Sequence, residues 1–362
     1  MAIGLLAGSF ILSTILTGVA AAIARRVGFV CRPAADRFAD RTVPLGGGIA
    51  IFATISVVVL GGAVFIWLQG IPPRLAEQAN VAAADFVARS HELIIILLCG
   101  FVLFALGLWD DIRHLGPWAK LAVQFTAAIA VAGFTETRVE FFIHNRIVTT
   151  ALSAFWIVLI INAFNFLDNM DGLSAGIATI AAGILLAAAV TAGQVFVAAV
   201  AILLVGTLLG FLVHNFPPAR VFMGDAGSLV TGFFVAILTL RTTYYQQAAS
   251  GRWYCVFLPV IVMAVPLYDF LSVTLIRLRQ GKSPFVGDTQ HFSHRLSRLG
   301  LSDTQAVLTL YLATLTTGLG ATFLYQVGRV GAVLIFTQAV LVLVIVGILE
   351  TAAANDTGKT QG

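Results

Sequence analysis

Long apolar runs separated by short polar segments dominate the chain. Eleven of these runs have about the 17–25 residues that an α-helix needs to cross a bilayer. They lie at roughly 2–24, 46–68, 92–109, 117–134, 149–166, 172–192, 195–214, 226–241, 254–276, 304–326 and 329–349. The runs at 92–109 and 226–241 are short, so the pattern predicts ten or eleven helices. Pro259 and Pro266 predict a bend in the run at 254–276.

The fold class follows from this pattern. Backbone amides have no water partner in lipid, and the chain lacks the long alternating segments of a β-barrel, so we predict an all-α, polytopic membrane bundle. Composition agrees, with 59% apolar residues, 10% charged residues and a mean hydropathy of +0.98. Cys31, Cys99 and Cys255 show no CxxC or Cys/His spacing, so we expect neither a disulfide framework nor a zinc site.

The distribution of basic residues predicts the orientation. With eleven spans, 14 of the 21 Lys and Arg residues fall on one side and seven on the other. The positive-inside rule places the N-terminus outside and the C-terminus in the cytoplasm, with every polar motif on the cytoplasmic face. We expect a single transmembrane domain at 1–350, a short disordered cytoplasmic tail at 351–362, and no nucleic acid partner.

Four oxygen-bearing side chains occur at intervals of three residues between two apolar runs: Asn162, Asn165, Asp168 and Asp171. A step of three on an α-helix turns back by about 60°, so these side chains cannot all share one face. We predict a helix that ends near Phe166, an irregular turn, and a new helix after Asp171. Polar groups at a membrane edge usually mark where a substrate or ion is handled. The alternative is that they cap two helix ends.

Adjacent carboxylates, Asp110 and Asp111, end the third predicted span, and Lys120 begins the fourth. Two neighbouring anions at a membrane edge repel each other, so one of them holds a proton more tightly unless a cation compensates. Such a pair suits a proton acceptor or a metal ligand. The alternative is a solvated helix end that carries two ordinary acids.

A glycine-rich segment surrounds Asp225, with Gly224 before it and Gly227 and Ser228 after it. Glycines let backbone amides approach a phosphate closely, and a helix N-terminus adds a partial positive charge. The segment therefore predicts a site for a metal-bridged phosphate. A tight loop in which Asp225 or Ser228 caps the next helix is the alternative.

A basic segment at 277–296 surrounds one acid, Asp288. Its cationic and imidazole side chains are Arg277, Arg279, Lys282, His291, His294 and Arg295. Cations at this density attract phosphates, although Arg277 and Arg279 also fit ordinary positive-inside charge. The histidines have a spacing that zinc accepts, but the hard oxygen ligands elsewhere favour magnesium and a phosphate-contacting role for the imidazoles.

Five motifs occur in the order and at roughly the separations of the polyprenyl-phosphate N-acetylhexosamine-1-phosphate transferase family, which is glycosyltransferase family 4. They are Gly107-x-x-Asp-Asp with Lys120, Asn162-Ala-x-Asn-x-x-Asp-x-x-Asp-Gly, Phe222-Met-Gly-Asp-x-Gly-Ser-Leu, Pro266-Leu-Tyr-Asp and Asp288-x-x-His-x-x-His-Arg-Leu. This resemblance covers about residues 25–300. His294-Arg295-Leu296 is more similar to the undecaprenyl-phosphate GlcNAc-1-phosphate transferase branch than to the related phospho-N-acetylmuramoyl-pentapeptide transferase.

The resemblance implies magnesium-dependent transfer of an N-acetylhexosamine-1-phosphate, GlcNAc-1-phosphate in this branch, from a UDP-sugar to undecaprenyl phosphate, with release of UMP. Such a reaction is the first membrane step of surface glycans such as O-antigen or teichoic acid. The expected location is the bacterial cytoplasmic (inner) membrane, with the active site on the cytoplasmic face. Manganese is the alternative metal, and a homodimer is the expected assembly if the protein oligomerises.

The same resemblance assigns roles to single residues. Asp110 deprotonates or positions the acceptor phosphate, and Asp111 supports it. Asn165 and Asp225 are the expected metal ligands. Asp168 and Asp171 are expected to contact the nucleotide or the metal-bound phosphate. The diphosphate is expected to be neutralised by Lys120, His291, His294 and Arg295, and the two histidines are also expected to be catalytic. The remaining expected substrate contacts are Asn162, Ser228 and Asp288.

Three departures from the family pattern leave the choice of sugar open. Asn169 stands where relatives carry a glycine, Ser293 where they often carry His, and Thr289 where they often carry Arg. Asn tolerates unusual backbone angles better than most residues, so replacing the glycine by Asn169 is expected to disturb the backbone little. The alternatives are the pentapeptide transferase and an ion-coupled secondary transporter. Motifs confined to one face, without an internal repeat, favour the transferase.

Overall fold

The computed structural model describes residues 2–32, 42–69, 88–139, 143, 145–242, 253–283, 295–297 and 300–359. Within these ranges the helices are α1 (Ala2–Val27), α2 (Gly47–Gln69), α3 (Ser90–Ile112), α4 (Pro117–Phe134), α5 (Arg146–Leu167), α6 (Leu173–Thr191), α7 (Val195–Asn215), α8 (Gly224–Arg241), α9 (Leu258–Val262), α10 (Ala264–Arg279), α11 (Asp303–Thr322) and α12 (Arg329–Lys359). Short 3₁₀ turns at Trp253–Phe257 and Phe323–Tyr325 precede α9 and follow α11.

The helix count agrees with the apolar pattern. Among the described residues, ten helices are long and apolar enough to cross a membrane, and the bent pair of α9 and α10 makes an eleventh. The prediction of an all-α membrane bundle is therefore confirmed, while the orientation of the termini stays a prediction. The apolar run at 92–109 is shorter than the 23-residue helix α3 that contains it, because the polar residues at the two ends of α3 are not part of the run.

The bend in the ninth span is also confirmed. The two halves of this span, 253–262 and 264–279, meet at an angle of 64°. Pro266 has no amide hydrogen and its ring clashes with the carbonyl four residues earlier, at Val262, where α9 ends. Pro266 thus explains where the helix breaks.

The last helix reaches Lys359 and so runs through most of the range 351–362, for which the sequence predicts a disordered tail. Three consecutive alanines, at 352–354, favour this continuation because alanine has the highest intrinsic helix propensity. The domain boundaries themselves stay a prediction.

Helix α8 is the centre of the bundle. Its apolar window is 78% buried, against 22% for α1 and for α12. It packs against α2, α3, α5 and α6. Small residues make this close packing feasible: a Cβ at Gly107 of α3 would lie 2.5 Å from the Ala226 backbone, and one at Gly232 would lie 2.8 Å from Cα of Ile161. The sequence therefore buries α8 from its first turn onward.

A short strand pair holds the segment that leads into α8. Strands β1 (Val30–Cys31) and β2 (Val43–Pro44) are antiparallel, and the amide of Phe222 donates to the Pro44 carbonyl at 3.0 Å. The amides of Gly47 and Gly48, at the start of α2, donate to the carbonyls of Phe222 and Met223, each at 3.0 Å. The start of α2 is thereby tied to the start of α8.

The contact between α2 and α8 can be tested at Gly48. A Cβ there would lie 2.3 Å from the Gly227 amide nitrogen, so Gly48→Ala forces two backbones apart. We expect it to destabilise the protein by about 1–3 kcal/mol, measured as a lower thermal unfolding temperature in detergent.

Gly61→Ala is the matched control on the same helix, since a Cβ at Gly61 meets no described atom within 4 Å. Alanine is also the better helix former, so this control should unfold at or above the wild-type temperature. Equal unfolding temperatures for both variants would contradict the close approach of α2 and α8.

Candidate active site

The predicted acids converge at one end of the bundle, where α3 and α5 end and α4 and α8 begin. Asp110, Asp111, Asp168 and Asp225 meet there around Lys120, and we call these five residues the acidic cluster. Nζ of Lys120 lies 2.7 Å from Oδ2 of Asp110 and 3.0 Å from Oδ2 of Asp225. One ammonium group therefore bridges two carboxylates that are 115 positions apart in the sequence.

Asp110 is held from two directions. Besides the Lys120 bond, its Oδ1 accepts a hydrogen bond from the Leu115 amide at 2.6 Å, and the residue is only 6% exposed. This amide belongs to the link between α3 and α4, so the carboxylate is fixed by the turn itself. Such a fixed carboxylate can bind a cation or accept a proton from a neighbouring group.

Asp111 contacts the first turn of α8. Its Oδ1 accepts from the Asp225 amide at 2.8 Å, and its Oδ2 accepts from the Ala226 amide at 3.1 Å. The first amides of a helix have no partner within that helix, and carboxylates stabilise them. Gly224 begins α8 with φ of +69°, and a Cβ there would lie 2.7 Å from Oδ2 of Asp111. Asp111 thus positions Asp225 by capping its helix.

Asn165 and Ser228 hold the other oxygen of Asp225. The Asn165 amide nitrogen donates to Oδ1 of Asp225 at 3.0 Å and to Oγ of Ser228 at 2.9 Å. Ser228 is fully buried, so it supports Asn165 from behind. The predicted metal ligands Asn165 and Asp225 are therefore direct neighbours, while their metal and the predicted substrate contact of Ser228 stay predictions.

Asp168 and Asp171 lie in the turn between α5 and α6. Asp168 follows Leu167, the last residue of α5, as the predicted helix end near Phe166 requires. Burial raises the pKa of Asp168 well above its ordinary value, and the charges of Asp225, Asp111 and Asp171 raise it further, while a bond from the Gly224 amide opposes the rise. A carboxylate in this position favours a nearby cation.

Asp171 points toward a different segment. Its Oδ2 accepts a hydrogen bond from the Ala219 amide at 2.7 Å, which ties the turn to the link between α7 and α8. Asn169 donates to the Phe166 carbonyl at 2.6 Å and has a negative φ, so the family's glycine is not needed for an unusual angle at this position. That departure leaves the turn intact.

Two residues that the sequence did not single out fix Gly172, which has φ of +75°. The Gly172 amide donates to Oδ1 of Asn215 at 3.1 Å, and the hydroxyl of Tyr311 donates to the Gly172 carbonyl. Asn215 also donates to the Val221 carbonyl at 2.8 Å. The Asp168–Asp171 turn is thus held by α7 and α11. The only signal for these contacts in the sequence is the position of Gly172 in its motif.

Asn162 lies one turn further into α5 and does not join the acidic cluster by any hydrogen bond of the described residues. Its amide nitrogen donates to Oε1 of Gln124 at 2.7 Å and to the Val158 carbonyl at 2.8 Å. Gln124 is buried and was not predicted. Asn162 therefore joins α4 to α5, and its predicted substrate contact stays a prediction.

Two basic side chains approach the same end of the bundle. The Arg277 guanidinium carbon lies 5.1 Å from the ring centre of Phe166, and Arg295 donates to Oγ of Ser272 at 3.0 Å. Arg277 is buried despite its charge. The remaining predicted residues of this loop, Asp288, His291 and His294, lie outside the described residues, as do Thr289 and Ser293.

The donor set suits a divalent cation that substrate helps to bind. Among the described side chains, no group of three or more His, Cys, Asp or Glu could hold a metal ion on its own. Magnesium, however, commonly uses one or two carboxylates and completes its shell with water and substrate phosphates. The predicted ligands Asn165 and Asp225 offer such oxygens, and the carboxylate of Asp110 lies beside them, joined to Asp225 through Lys120. The residues therefore fit a magnesium ion that protein oxygens and phosphate oxygens would bind together.

Comparisons with known proteins give one consistent result. The family model described as glycosyl transferase family 4 matches residues 93–243. The chain is 30% identical to a probable undecaprenyl-phosphate N-acetylglucosaminyl 1-phosphate transferase of Bacillus subtilis, over 82% of this chain and 78% of the relative. It is 33% identical to a decaprenyl-phosphate N-acetylglucosaminephosphotransferase of Mycobacterium tuberculosis, over 83% and 77% respectively. A similar transferase of Yersinia pestis, named for undecaprenyl phosphate, is 27% identical over 90% and 83%.

The capping role of Asp111 predicts a difference between two substitutions. Asp111→Ala removes both acceptors of the α8 amides, whereas Asp111→Asn keeps one oxygen as an acceptor. We expect the alanine variant to lose about 1–3 kcal/mol of stability and the asparagine variant to lose less, measured by thermal unfolding of the purified protein.

Asp303→Ala serves as the control, because Asp303 is an exposed acid in the first turn of α11 and accepts a single side-chain bond, from the Ser297 hydroxyl at 3.2 Å. It should lower the unfolding temperature less than Asp111→Ala does. If Asp111→Ala and Asp111→Asn unfold at the same temperature, the hydrogen bonds to α8 do not contribute as described.

Proposed function

The chain belongs to glycosyl transferase family 4, and from that premise we propose that it transfers N-acetylhexosamine-1-phosphate from a UDP-sugar to undecaprenyl phosphate and releases UMP. GlcNAc-1-phosphate is the first candidate for the transferred group, because the relatives reported above are named for N-acetylglucosamine. The observation that carries the proposal is Lys120, which joins Asp110 to Asp225 within one cluster. The relatives' names support this function over the pentapeptide transferase and the transporter.

Electrostatics sets the main requirement of this reaction. The acceptor phosphate and the donor diphosphate are both anionic, so they repel each other and also repel the ionised acids of the cluster. Catalysis of phosphoryl transfer rests mainly on positioning and charge neutralisation. Within the described cluster, Lys120 supplies the cationic side chain, and its single positive charge balances one carboxylate although it contacts two. A further cation is therefore required before two phosphates can approach.

We assign that cation to magnesium, with Asn165 and Asp225 as its proposed protein ligands. When bound, the metal would neutralise phosphate oxygens and draw the two reactants together. The chain's part is to keep Asp225 in place, through the Asp111 cap on one side and Asn165 on the other. Manganese as a substitute metal stays a prediction.

The bond changes follow from the product. An oxygen of the lipid phosphate attacks the β-phosphorus, which bears the sugar, and a new P–O–P link forms. The bond from that phosphorus to the bridging oxygen breaks, and UMP leaves with the electron pair. Asp110, fixed by Leu115 and Lys120, is proposed to position the lipid phosphate and to accept its proton where one is present. Lys120 can then turn from the acids to the incoming phosphate.

The surroundings of the cluster support the remaining assignments. Arg277 and Arg295 come to the same end of the bundle and are proposed to face the diphosphate together with His291 and His294 of the same segment. The charge asymmetry of the loops supports an active site on the cytoplasmic face of the bacterial inner membrane. A homodimer stays a prediction.

The direct test uses purified protein in detergent with UDP-GlcNAc and undecaprenyl phosphate. We expect mass spectrometry to find undecaprenyl-diphospho-GlcNAc and UMP in equal amounts. Asp225→Ala should reduce turnover by about a hundredfold or more, since a lost metal ligand or oxyanion stabiliser has that order of effect.

The exposed Asp303→Ala, which changes the same residue type at the same end of the bundle, should retain near wild-type turnover. If Asp225→Ala keeps wild-type turnover at equal expression, the metal assignment is wrong. If the wild-type protein forms no lipid-linked product from any UDP-N-acetylhexosamine, the proposed function itself is wrong.

Metal removal gives a separate prediction. Because the proposed metal ion would offset the negative charge of Asp225 and of both phosphorylated substrates, we expect a chelator such as EDTA to abolish turnover. Added magnesium should restore it, and manganese should restore part of it. Calcium serves as the control, since it is larger and accepts a less regular shell. Full activity in excess EDTA would contradict the metal requirement.

A further inference from the structure

A second polar cavity lies at the opposite end of the bundle, where α3 and α5 begin and α4 ends. It has a volume of about 380 Å³. Its charged and imidazole lining residues are Arg89, His91, Glu92, Glu136, Arg138 and Arg146. We call it the far-end pocket. Helix α3 separates it from the acidic cluster, since Glu92 and Asp110 are 18 positions apart, a rise of about 27 Å along the helix.

Both acids of the far-end pocket already have arginine partners. Glu92 forms a buried ion pair with Arg241, the last residue of α8. Glu136 lies 2.9 Å from Nη1 of Arg89. Arg241 also lies 3.4 Å from Oγ1 of Thr137. Arg89 and Arg241 therefore balance the negative charges of these two glutamates.

Two further arginines line the pocket, and among its described lining residues no third acid accompanies them. Arg146 is exposed and donates to the Gly133 carbonyl at 2.8 Å through one nitrogen. Nη1 of Arg138 is buried and has no hydrogen-bond partner among the described residues. A buried donor on a charged group without a partner is costly. Together with the exposed Arg146, it gives the described lining of the pocket an excess of positive charge that suits an anion.

The position of the pocket indicates where the anion comes from. Phe134 lines the pocket and is 73% exposed. Ile147, next to the lining residue Arg146, is 80% exposed, and Ile94, two positions after the lining residue Glu92, is 54% exposed. On helices of membrane-spanning length, such residues face lipid. A ligand that places an anionic group in the pocket and an apolar chain on these side chains matches both surfaces.

We propose that the far-end pocket binds the phosphate of an anionic glycerophospholipid from the surrounding leaflet. Arg138 and Arg146 donate to the phosphate oxygens, and the acyl chains lie along the exposed face next to Phe134 and Ile147. Arginine suits this role because its planar fork can bind a phosphate bidentately. The site is separate from the proposed transferase reaction and does not depend on it.

The test uses the full chain in vesicles of phosphatidylcholine and phosphatidylglycerol, extracted into detergent and examined by native mass spectrometry. We expect the wild type to retain phosphatidylglycerol in preference to phosphatidylcholine. Arg146→Gln and Arg138→Gln should each lower the retained phosphatidylglycerol about tenfold, the usual effect of one charge-assisted hydrogen bond. Arg146 is exposed, so its substitution tests the site even if Arg138→Gln fails to fold.

Arg329→Gln is the matched control, because Arg329 is an exposed arginine at the start of α12, at the same end of the bundle. It should retain lipid like the wild type. Equal retention in all three variants would overturn the proposal. The proposal would also be overturned if the wild type retained phosphatidylcholine as well as it retains phosphatidylglycerol. It would likewise be overturned if inorganic phosphate bound at least as tightly as phosphatidylglycerol, because the pocket would then be a site for a free anion.

Discussion

The first turn of α8 is the constraint on which the rest of the site depends. Its amides have no partners within the helix, and two of them, those of Asp225 and Ala226, donate to the carboxylate of Asp111. These bonds hold the end of α3 against the start of α8, and the bond from Asn165 to Asp225 joins α5 to the same turn. The Asp225 carboxylate is then directed toward Lys120 and Asn165.

This arrangement requires a central helix that neighbours can approach closely. Gly48 of α2 and Gly107 of α3 face the backbone of α8 at distances that leave no room for a Cβ. Without hydrophobic driving force between helices in lipid, such backbone contacts and polar bonds account for much of the association. The small residues and the capping acids therefore act together: the glycines bring the backbones close, and the acids bind the amides that this closeness exposes.

Much of the bundle could be predicted from apolar run length, because lipid forces each run to satisfy its own backbone. The site could be predicted only in part. The sequence predicts Asp110 at the acceptor phosphate, Lys120 at the diphosphate and Asp225 as a metal ligand. It does not predict the capping role of Asp111, because the partners of Asp111 are backbone amides, which leave no residue signature. Tyr311 was missed for a similar reason, since it binds the Gly172 carbonyl from a helix with no motif of its own.

Helices α3 and α8 run antiparallel and are joined at both ends by contacts of charged side chains. Asp111 binds the start of α8, and Glu92 at the start of α3 pairs with Arg241 at the end of α8. The intervals of 19 residues on α3 and 16 on α8 correspond to rises of about 28 and 24 Å, and the long Glu92 and Arg241 side chains span the difference. A slide of α8 along α3 would lengthen the hydrogen bonds of Asp111 and the ion pair of Glu92 together. The position of Asp225 in the acidic cluster is therefore set partly by an ion pair at the opposite end of the bundle.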